Sequence, residues 1–284
     1  NVFHKLESFG IPVRLNILKA RQTYASTYFA FKSLQRVYWS QEPIRHTIIA
    51  NEWPNTRNII EMLDLSLREM ARPTAQGVTL PRKHRFKKSE PMLLEMLDTH
   101  AYIDTLTGEN SETGRSGNRY FLHCSEVAFY HDATTLMRAL LASVPDAPGT
   151  VVVRETTANG YDSYWQPTWR ESEERAEVIA RQMGARDSLD LLFNYSGWGE
   201  KAGHPNGYWP GGYFPLFLSW TRMRKYRLDP SLEELTFEKL TRLERELVET
   251  RDIDLWQLAW RRRKIREDFK GSRIYYDDDS AVKN

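Results

Sequence analysis

Short apolar runs alternate with helical patterns along most of the chain. The runs that predict buried strands are 13–18, 46–51, 119–124, 149–155 and 213–220. The stretches that predict helices are 27–39, 56–70, 132–143 and 172–184. Because strands that are apolar throughout need cover on both faces, this alternation predicts an α/β fold with a mostly parallel central sheet flanked by helices.

Two long stretches lack this alternation. Residues 71–117 are polar and contain several Gly and Pro, so they predict loops or a hairpin. Residues 195–213 are rich in Gly, Trp and Tyr and predict an ordered surface loop. The strand that follows contains Pro215, which has no backbone N–H to donate and therefore suits a strand at the edge of a sheet.

The C-terminal part of the chain is predicted to be helical. Leucines recur along one face of 231–249, and Ser231 and Glu234 have the spacing of a capping box at its start. Residues 255–269 predict a last amphipathic helix. The predicted organisation is an α/β core over 1–228 and a helical subdomain or linker over 229–284.

The composition is that of an ordinary globular chain of 284 residues, with 40% hydrophobic and 27% charged residues. The only cysteine, Cys124, excludes an internal disulfide and a cysteine zinc cluster. Neither a signal peptide nor a membrane span is expected from the sequence. The formal net charge is only +2, although 81–88 and 260–266 are basic and 275–280 is acidic. Each of these charged segments is expected to be a solvated face or tail unless another observation indicates a polyanion partner.

Polar residues with candidate chemistry follow the first predicted strand. Lys19 and Arg21 offer cations, and Ser26 and Thr27 offer hydroxyl groups where the next helix begins. A phosphate loop with bound Mg²⁺ needs these groups in addition to backbone N–H donors. The segment 18–27 contains no glycine, so taken alone it also fits an ordinary polar turn between a strand and a helix.

Two later strands carry polar residues to the same predicted edge of the sheet. One ends in Ser125 and Glu126, an order that can place a Mg²⁺ ligand and a water-activating carboxylate. His123 on this strand is expected to be structural rather than a metal ligand. The other strand ends in Glu155, followed by the polar segment 156–160. Because open α/β sheets bind ligands at the carboxyl ends of their strands, the three strand ends predict one site.

These motifs, taken together and in this order, resemble the ATPase domain of the large terminase subunit of tailed phages. The Walker A-like motif K-A-R-Q-x-G-x-S-T is matched by Lys19, Ala20, Arg21, Gln22, Ser26 and Thr27. The motif L-H-x-S-E-x-A-F is matched by Leu122, His123, Ser125, Glu126, Ala128 and Phe129. The motif E-S-T-A-N-G is matched by Glu155, Thr157, Ala158, Asn159 and Gly160, with Thr156 in place of Ser. Segments 215–227 and 257–265 resemble two further motifs, so the resemblance covers nearly the whole chain.

The resemblance implies a P-loop NTPase of the additional-strand type that hydrolyses ATP, with Mg²⁺, to drive double-stranded DNA into a procapsid. ATP would bind the Walker A residues Lys19, Ala20, Arg21, Gln22, Thr23, Tyr24, Ala25, Ser26 and Thr27. Glu126, at the Walker B position, would be the catalytic carboxylate, and Lys19 or Arg21 would contact phosphate or act as an arginine switch. Ser26 would hold Mg²⁺, with Ser125 as a weak second ligand. Hydrolysis would be coupled to movement by Thr156, Thr157, Asn159 and Gly160.

The same resemblance implies partners and a location. Double-stranded DNA, a portal protein and a small terminase subunit are the expected partners, a homo-oligomeric ring is the expected assembly, and no membrane is involved. The expected location is the cytoplasm of an infected bacterial host, transiently at the procapsid portal. The nuclease domain of the family is expected to be absent, because 277–280 is too local an acidic cluster to form its site.

Two residues depart from the family pattern. Tyr24 stands where the family has Gly, and Ala25 stands where many phosphate loops carry Lys. A glycine would allow a positive φ and close approach to phosphate, so Tyr24 is expected to strain the loop or to fill the pocket with its ring. These departures favour one alternative, a degenerate or truncated terminase fragment that binds DNA or partners without turnover. A second alternative is a helicase-like nucleic-acid ATPase with the same kind of sheet.

Overall fold

The structure is a computed structural model that describes residues 2–72, 82–109, 117–160, 164–194, 212–223, 225–251 and 253–268. The chain divides into two compact units, Asn1–Leu218 and Ser219–Asn284. The helices described in the first unit are α1 (Val2–Glu7), α2 (Ala25–Trp39), α3 (Trp53–Met70), α4 (Ala133–Leu141), α5 (Trp165–Gln182) and α6 (Ser188–Asn194). Its described strands are β1 (Val13–Lys19), β2 (Arg45–Ala50), β3 (His84–Lys87), β4 (Leu93–Met96), β5 (Tyr102–Thr107), β6 (Phe121–Ser125), β7 (Val151–Thr156) and β8 (Phe214–Leu218).

The described strands of the first unit form one eight-stranded sheet in the order β3-β4-β5-β2-β6-β7-β1-β8. Neighbouring strands from β5 to β8 are parallel, whereas β3 pairs with β4 and β4 with β5 in antiparallel fashion. The predicted α/β fold with a mostly parallel sheet flanked by helices is therefore confirmed. Strand β7 lies between β1 and β6, which brings the three strand ends with candidate chemistry side by side.

The continuous apolar runs of the central strands are explained by cover on both faces. Successive residues of a strand point to opposite faces, and β7 illustrates the result. Val151 and Val153 pack in a cluster with Phe29 of α2, while Val152 packs in another cluster with Leu136 of α4. A strand in this position needs apolar residues at consecutive positions, and this is the pattern that the sequence shows.

Several local signals in the sequence have the structural effect that they predict. The side chain of Asp132 accepts a hydrogen bond from the backbone N–H of Thr135 at 3.1 Å and so caps the start of α4. Gly184 follows α5 with a φ of 73°, as expected for a glycine that stops a helix. Pro215 lies in β8, the last strand at one edge of the sheet.

The prediction of loops or a hairpin for 71–117 is wrong in part. The hairpin exists as β3 and β4, but the same stretch also contains β5, a strand within the parallel part of the sheet. Strand β5 is polar in sequence, yet Asp104, Thr105 and Thr107 are all buried. Their polar groups are paired inside the protein, as in the hydrogen bond from Thr47 Oγ1 to Asp104 Oδ1 at 2.6 Å. The polar residues of β5 are therefore the reason why a buried strand was predicted to be a loop or part of a hairpin.

The predicted helix over 231–249 begins later than its apparent capping box. Residues Pro230–Glu233 and Phe237–Lys239 form short 3₁₀ turns, and Glu234 interrupts any helix there with a φ of 49°. The helix α7 spans Arg242–Arg251 and is followed by α8 at Leu255–Asp268. The capping box of α7 is formed by Thr241 and Glu244, whose side chains accept from each other's backbone N–H at 3.2 and 3.0 Å.

The second unit has an apolar cluster of its own. Its buried members are Leu235, Leu240, Ile253, Leu258 and Ala259. No helix within the described ranges combines the length and apolar character that crossing a membrane requires. The predicted surface loop at 195–213, apart from its last two residues, and the acidic segment 275–280 lie outside the described residues.

Candidate active site at the carboxyl ends of β1, β6 and β7

The three predicted strand ends meet at one edge of the sheet. Leu18 of β1 pairs with Thr156 of β7, and Ser125 of β6 pairs with Glu155 of β7. Lys19, Ser125 and Thr156 thus end three neighbouring parallel strands at the same edge. The three motifs at the ends of these strands are therefore close together in space.

Glu126 is held at this edge by four hydrogen bonds. It follows β6 in the left-handed region, with φ of 60° and ψ of 46°. Its Oε1 accepts from Lys19 Nζ at 2.7 Å. Its Oε2 accepts from the backbone N–H and the hydroxyl of Thr157 at 3.1 and 3.2 Å and from Thr156 Oγ1 at 3.4 Å. These contacts fix the carboxylate while leaving its side chain 25% exposed, as a group that acts on a ligand requires.

A fully buried pair, His123 and Glu155, lies on β6 and β7 beside Lys19. His123 Nε2 and Glu155 Oε1 are 2.9 Å apart, and Lys19 Nζ is 4.0 Å from Glu155 Oε2. Burial alone would raise the pKa of Glu155, but the hydrogen bond with His123, the nearby charges and a contact from Ser26 outweigh it and lower that pKa. The negative charge of Glu155 therefore attracts the ammonium group of the nearly buried Lys19.

Neither residue of this buried pair is predicted from the sequence to bind ATP, hold Mg²⁺ or take part in catalysis. His123 is expected to be structural, and Glu155 is only a motif match. The sequence feature that could have indicated the pair is the presence of a histidine and a glutamate near the ends of two apolar strands. Their contact joins positions 32 residues apart, so it depends on the pairing of β6 with β7.

Two serine hydroxyls meet beside the Lys19–Glu126 pair. Ser26 lies in the first turn of α2, and its Oγ is 3.3 Å from Oγ of Ser125. The first turn of a helix presents unpaired backbone N–H groups and a positive end of the helix dipole. The arrangement offers hydroxyl ligands and an anion-favouring helix end at one place. Within the described ranges, no group of three or more His, Cys, Asp or Glu side chains could hold a metal ion by itself.

The loop between β1 and α2 has the backbone that a glycine would adopt. Tyr24 has φ of 60° and ψ of 16°, and Gln22 also has a positive φ of 56°. The Tyr24 residue is 66% exposed, so the expectation that its ring fills the pocket is wrong. The expected strain is present instead, because non-glycine residues reach this region at a cost of about 1–2 kcal/mol.

The remaining predicted site residues lie around this loop and after β7. Arg21 and Gln22 are exposed, whereas Thr23 and Thr27 are half-buried and Ala25 is buried. Ala20 donates its backbone N–H to the carbonyl of Leu218 at 2.9 Å, which ties the loop to β8. Beyond β7, Asn159 Nδ2 donates to the carbonyl of Ala128 at 3.0 Å, and Gly160 has a φ of 66°. The segment after β7 is thus bonded to the segment that carries Glu126.

The basic segments are largely neutralised by neighbouring carboxylates. In 260–266, Arg262 makes a two-pronged ion pair with Glu244, with Nε–Oε1 and Nη2–Oε2 distances of 2.7 and 2.6 Å. Further pairs in this segment join Arg263 and Arg266 to Glu233, and Lys264 to Glu267. In 82–88 the pairs are Arg82 with Asp98, His84 with Asp64 and Arg85 with Glu95. Both segments therefore present less net positive charge than their sequences suggest.

No protein-family model matches the sequence, and no curated protein matches it. Among solved structures, the ATPase domain of the large terminase of Thermus phage P74-26 is similar with a TM-score of 0.42 and 11% identity, over 75% of this chain and 76% of that chain. A mutant of the same domain is similar with a TM-score of 0.32 and 10% identity, over 63% of this chain and 87% of that chain. Both likenesses are distant, so the function of the site has to be inferred from its own geometry.

Proposed function

We propose that this chain is the ATPase domain of a phage terminase large subunit, which hydrolyses ATP to move double-stranded DNA into a procapsid. The observation that carries the proposal is the 2.7 Å contact between Lys19 Nζ and Glu126 Oε1 at the carboxyl edge of the sheet. A phosphate-binding cation and a candidate general base meet there, next to the first turn of α2. The position of β7 between β1 and β6 supports the additional-strand type of P-loop fold.

Lys19 and Glu126 hold complementary charges that the triphosphate would separate. In their ion pair, each neutralises the other. A bound triphosphate offers Lys19 a stronger anionic partner at the helix end. Glu126 would then keep its hydrogen bonds from Thr157 and have Oε1 available to accept a proton from the attacking water. The pairing would thus mask the base until nucleotide binds.

The donor set suits Mg²⁺ held chiefly by the nucleotide and by water. Mg²⁺ prefers oxygen ligands and usually binds through one or two protein groups plus substrate phosphates. Ser26 Oγ is the direct ligand we propose, with Ser125 Oγ acting directly or through water. Glu155 is buried beside these hydroxyls and contacts Ser26, so it adds negative charge near them. When bound, Mg²⁺ would neutralise charge on the phosphates.

The contacts of the segment after β7 support a coupling between ATP hydrolysis and movement of this segment. Thr156 and Thr157 both donate to Glu126 Oε2, and Asn159 is bonded to Ala128 just beyond it. A shift of Glu126 on nucleotide binding would therefore be passed to the segment 156–160. We propose that this segment transmits hydrolysis to DNA, in a ring of subunits that also engages a portal protein and a small terminase subunit in the host cytoplasm.

A second candidate function is favoured by Tyr24. Its αL backbone and its replacement of a loop glycine fit a degenerate terminase fragment that binds DNA or assembly partners without turnover. ATP hydrolysis by the purified chain, measured with and without double-stranded DNA, separates the two candidates. We expect turnover that rises when DNA is added. Absence of turnover together with retained DNA binding would exclude the first candidate and support the second.

The variant Tyr24→Gly tests whether the loop holds phosphate. Glycine relieves the strain of the αL backbone, but it also raises the backbone entropy of the unfolded chain. The net effect is expected to raise the free energy of unfolding by up to about 1 kcal/mol. ATP affinity is expected to rise because phosphate can approach the loop backbone more closely. Thermal denaturation and calorimetric titration with ATP measure the two effects.

The matched control for this prediction is Glu234→Gly. Glu234 is exposed, has a φ of 49° and lies in the other compact unit, so glycine relieves a similar backbone there. It should change stability in the same direction and leave ATP affinity unaltered. Equal ATP affinity in Tyr24→Gly and in the wild-type chain would show that the loop does not hold phosphate.

A further inference from the structure

Arg154, on β7, is a buried arginine whose hydrogen bonds go to neutral groups. Its Nε donates to Asn16 Oδ1 at 2.8 Å, and its Nη1 donates to Tyr164 Oη at 2.9 Å. Its guanidinium lies 3.6 Å from the ring centre of Tyr213. The residue is only 5% exposed, and among the residues that the structure describes no carboxylate pairs with it. Because a guanidinium stays protonated in proteins, this leaves a buried positive charge without a counter-charge from those residues.

A cavity of about 290 Å³ lies against this guanidinium, between β1, β7, α5 and the residues that precede β8. A second arginine, Arg175, also lines it, paired with Glu171 at 2.5 Å. The side chains of Thr168 and Tyr164 add hydroxyl groups to the lining. Two arginines and one glutamate give the lining a net positive charge.

This cavity is separate from the candidate active site. None of the residues proposed to bind ATP, hold Mg²⁺ or couple hydrolysis lines it. Successive residues of β7 point to opposite faces of the sheet. Glu155 contacts His123 and Lys19, whereas Arg154 points to the face that packs against α5. A ligand in the cavity would therefore bind independently of the loop 19–27.

We propose that the Arg154 cavity binds a small phosphate-bearing anion. Phosphate supplies a counter-charge that Arg154 does not receive from the described residues, and its oxygens can accept charge-assisted hydrogen bonds from a guanidinium. Its tetrahedral oxygens can accept from donors on several walls at once, here Arg154, Arg175 and the Thr168 hydroxyl. The volume lies close to the lower limit of the range for small-molecule sites, so a free small anion fits it.

Calorimetric titration of the full chain with inorganic phosphate tests the proposal. We expect saturable binding that survives Lys19→Met, a substitution that removes the cation of the candidate ATP site. Arg154→Gln is expected to weaken binding about tenfold or more, since a charge-assisted hydrogen bond is lost. Arg175→Gln should also weaken binding, because it leaves Glu171 unneutralised in the cavity wall. Glu171→Gln should tighten binding.

The opposite effects of the two variants on α5 distinguish a binding site from a structural role. Arg175 and Glu171 have side chains that are 56% and 61% exposed, so their substitution spares the core even if Arg154→Gln fails to fold. The proposal is overturned if phosphate does not bind saturably. It is equally overturned if Lys19→Met abolishes binding while Arg175→Gln and Glu171→Gln leave it unchanged. Neither result depends on whether the chain hydrolyses ATP.

Discussion

Glu126→Gln is expected to lower ATP turnover about 100-fold or more while changing ATP affinity far less. The amide keeps the size of the side chain and can still accept the hydrogen bonds that Thr157 donates. It cannot accept a proton from water, and this ability matters only in the transition state. Loss of the Lys19 ion pair also removes a competitor for phosphate, so ATP binding should be retained or slightly strengthened. Single-turnover hydrolysis and calorimetric titration measure the two quantities separately.

The control for this prediction is Glu174→Gln, an exposed glutamate on α5 outside the candidate site. It should leave both turnover and affinity at the wild-type values. Glu126→Asp provides a second comparison, because it keeps the charge but shortens the reach of the carboxylate by one methylene. Turnover of Glu126→Gln within a few-fold of wild type would remove Glu126 from the role of general base.

The elements that the sequence predicts well are those whose pattern is decided locally. Strand β7 contains Val151, Val152 and Val153, and all of them are buried because helices cover both faces of the sheet. Helix α4 has a side-chain cap one residue before its start. Strand β5 and the start of α7 were predicted incorrectly for the opposite reason. The burial of Asp104 depends on partners from distant strands, and Ser231 belongs to a 3₁₀ turn capped by Asp229.

The candidate site shows the same division. The order of the motifs and the carboxyl-edge rule predict that Lys19 and Glu126 approach one another. The ion pair itself joins residues 107 positions apart, and its geometry depends on β7 lying between β1 and β6. The strained backbone of Tyr24 was expected from the family glycine at that position, whereas the positive φ of Glu126 was not predictable, because glutamate does not favour that region. The catalytic and coupling roles of these residues stay predictions until turnover is measured.

Asp104→Ala is expected to destabilise the first unit by about 3 kcal/mol or more, the cost typical of breaking a buried charge network. Asp104 accepts from Arg45 Nη2 at 2.5 Å and from Thr47 Oγ1 at 2.6 Å, and Thr47 in turn accepts from Arg119 Nε at 2.8 Å. Arg119 is fully buried, and burial lowers its pKa while the nearby charge of Asp104 raises it, so removal of Asp104 takes away a group that favours the charged form. Chemical unfolding measures the loss.

The pair of Arg14 with the exposed Asp146 supplies the matched comparison for that prediction. Its oxygen and nitrogen are 3.3 Å apart, and the Asp146 side chain is 71% exposed, so Asp146→Ala should cost no more than about 1 kcal/mol. Asp104→Asn should fall between the two variants, because it keeps the shape and a hydrogen-bond acceptor but removes the charge. Equal losses for Asp104→Ala and Asp146→Ala would mean that the two arginines do not need the carboxylate. The stability of the parallel sheet would then depend on apolar packing alone, and the polar sequence of β5 would have no energetic explanation.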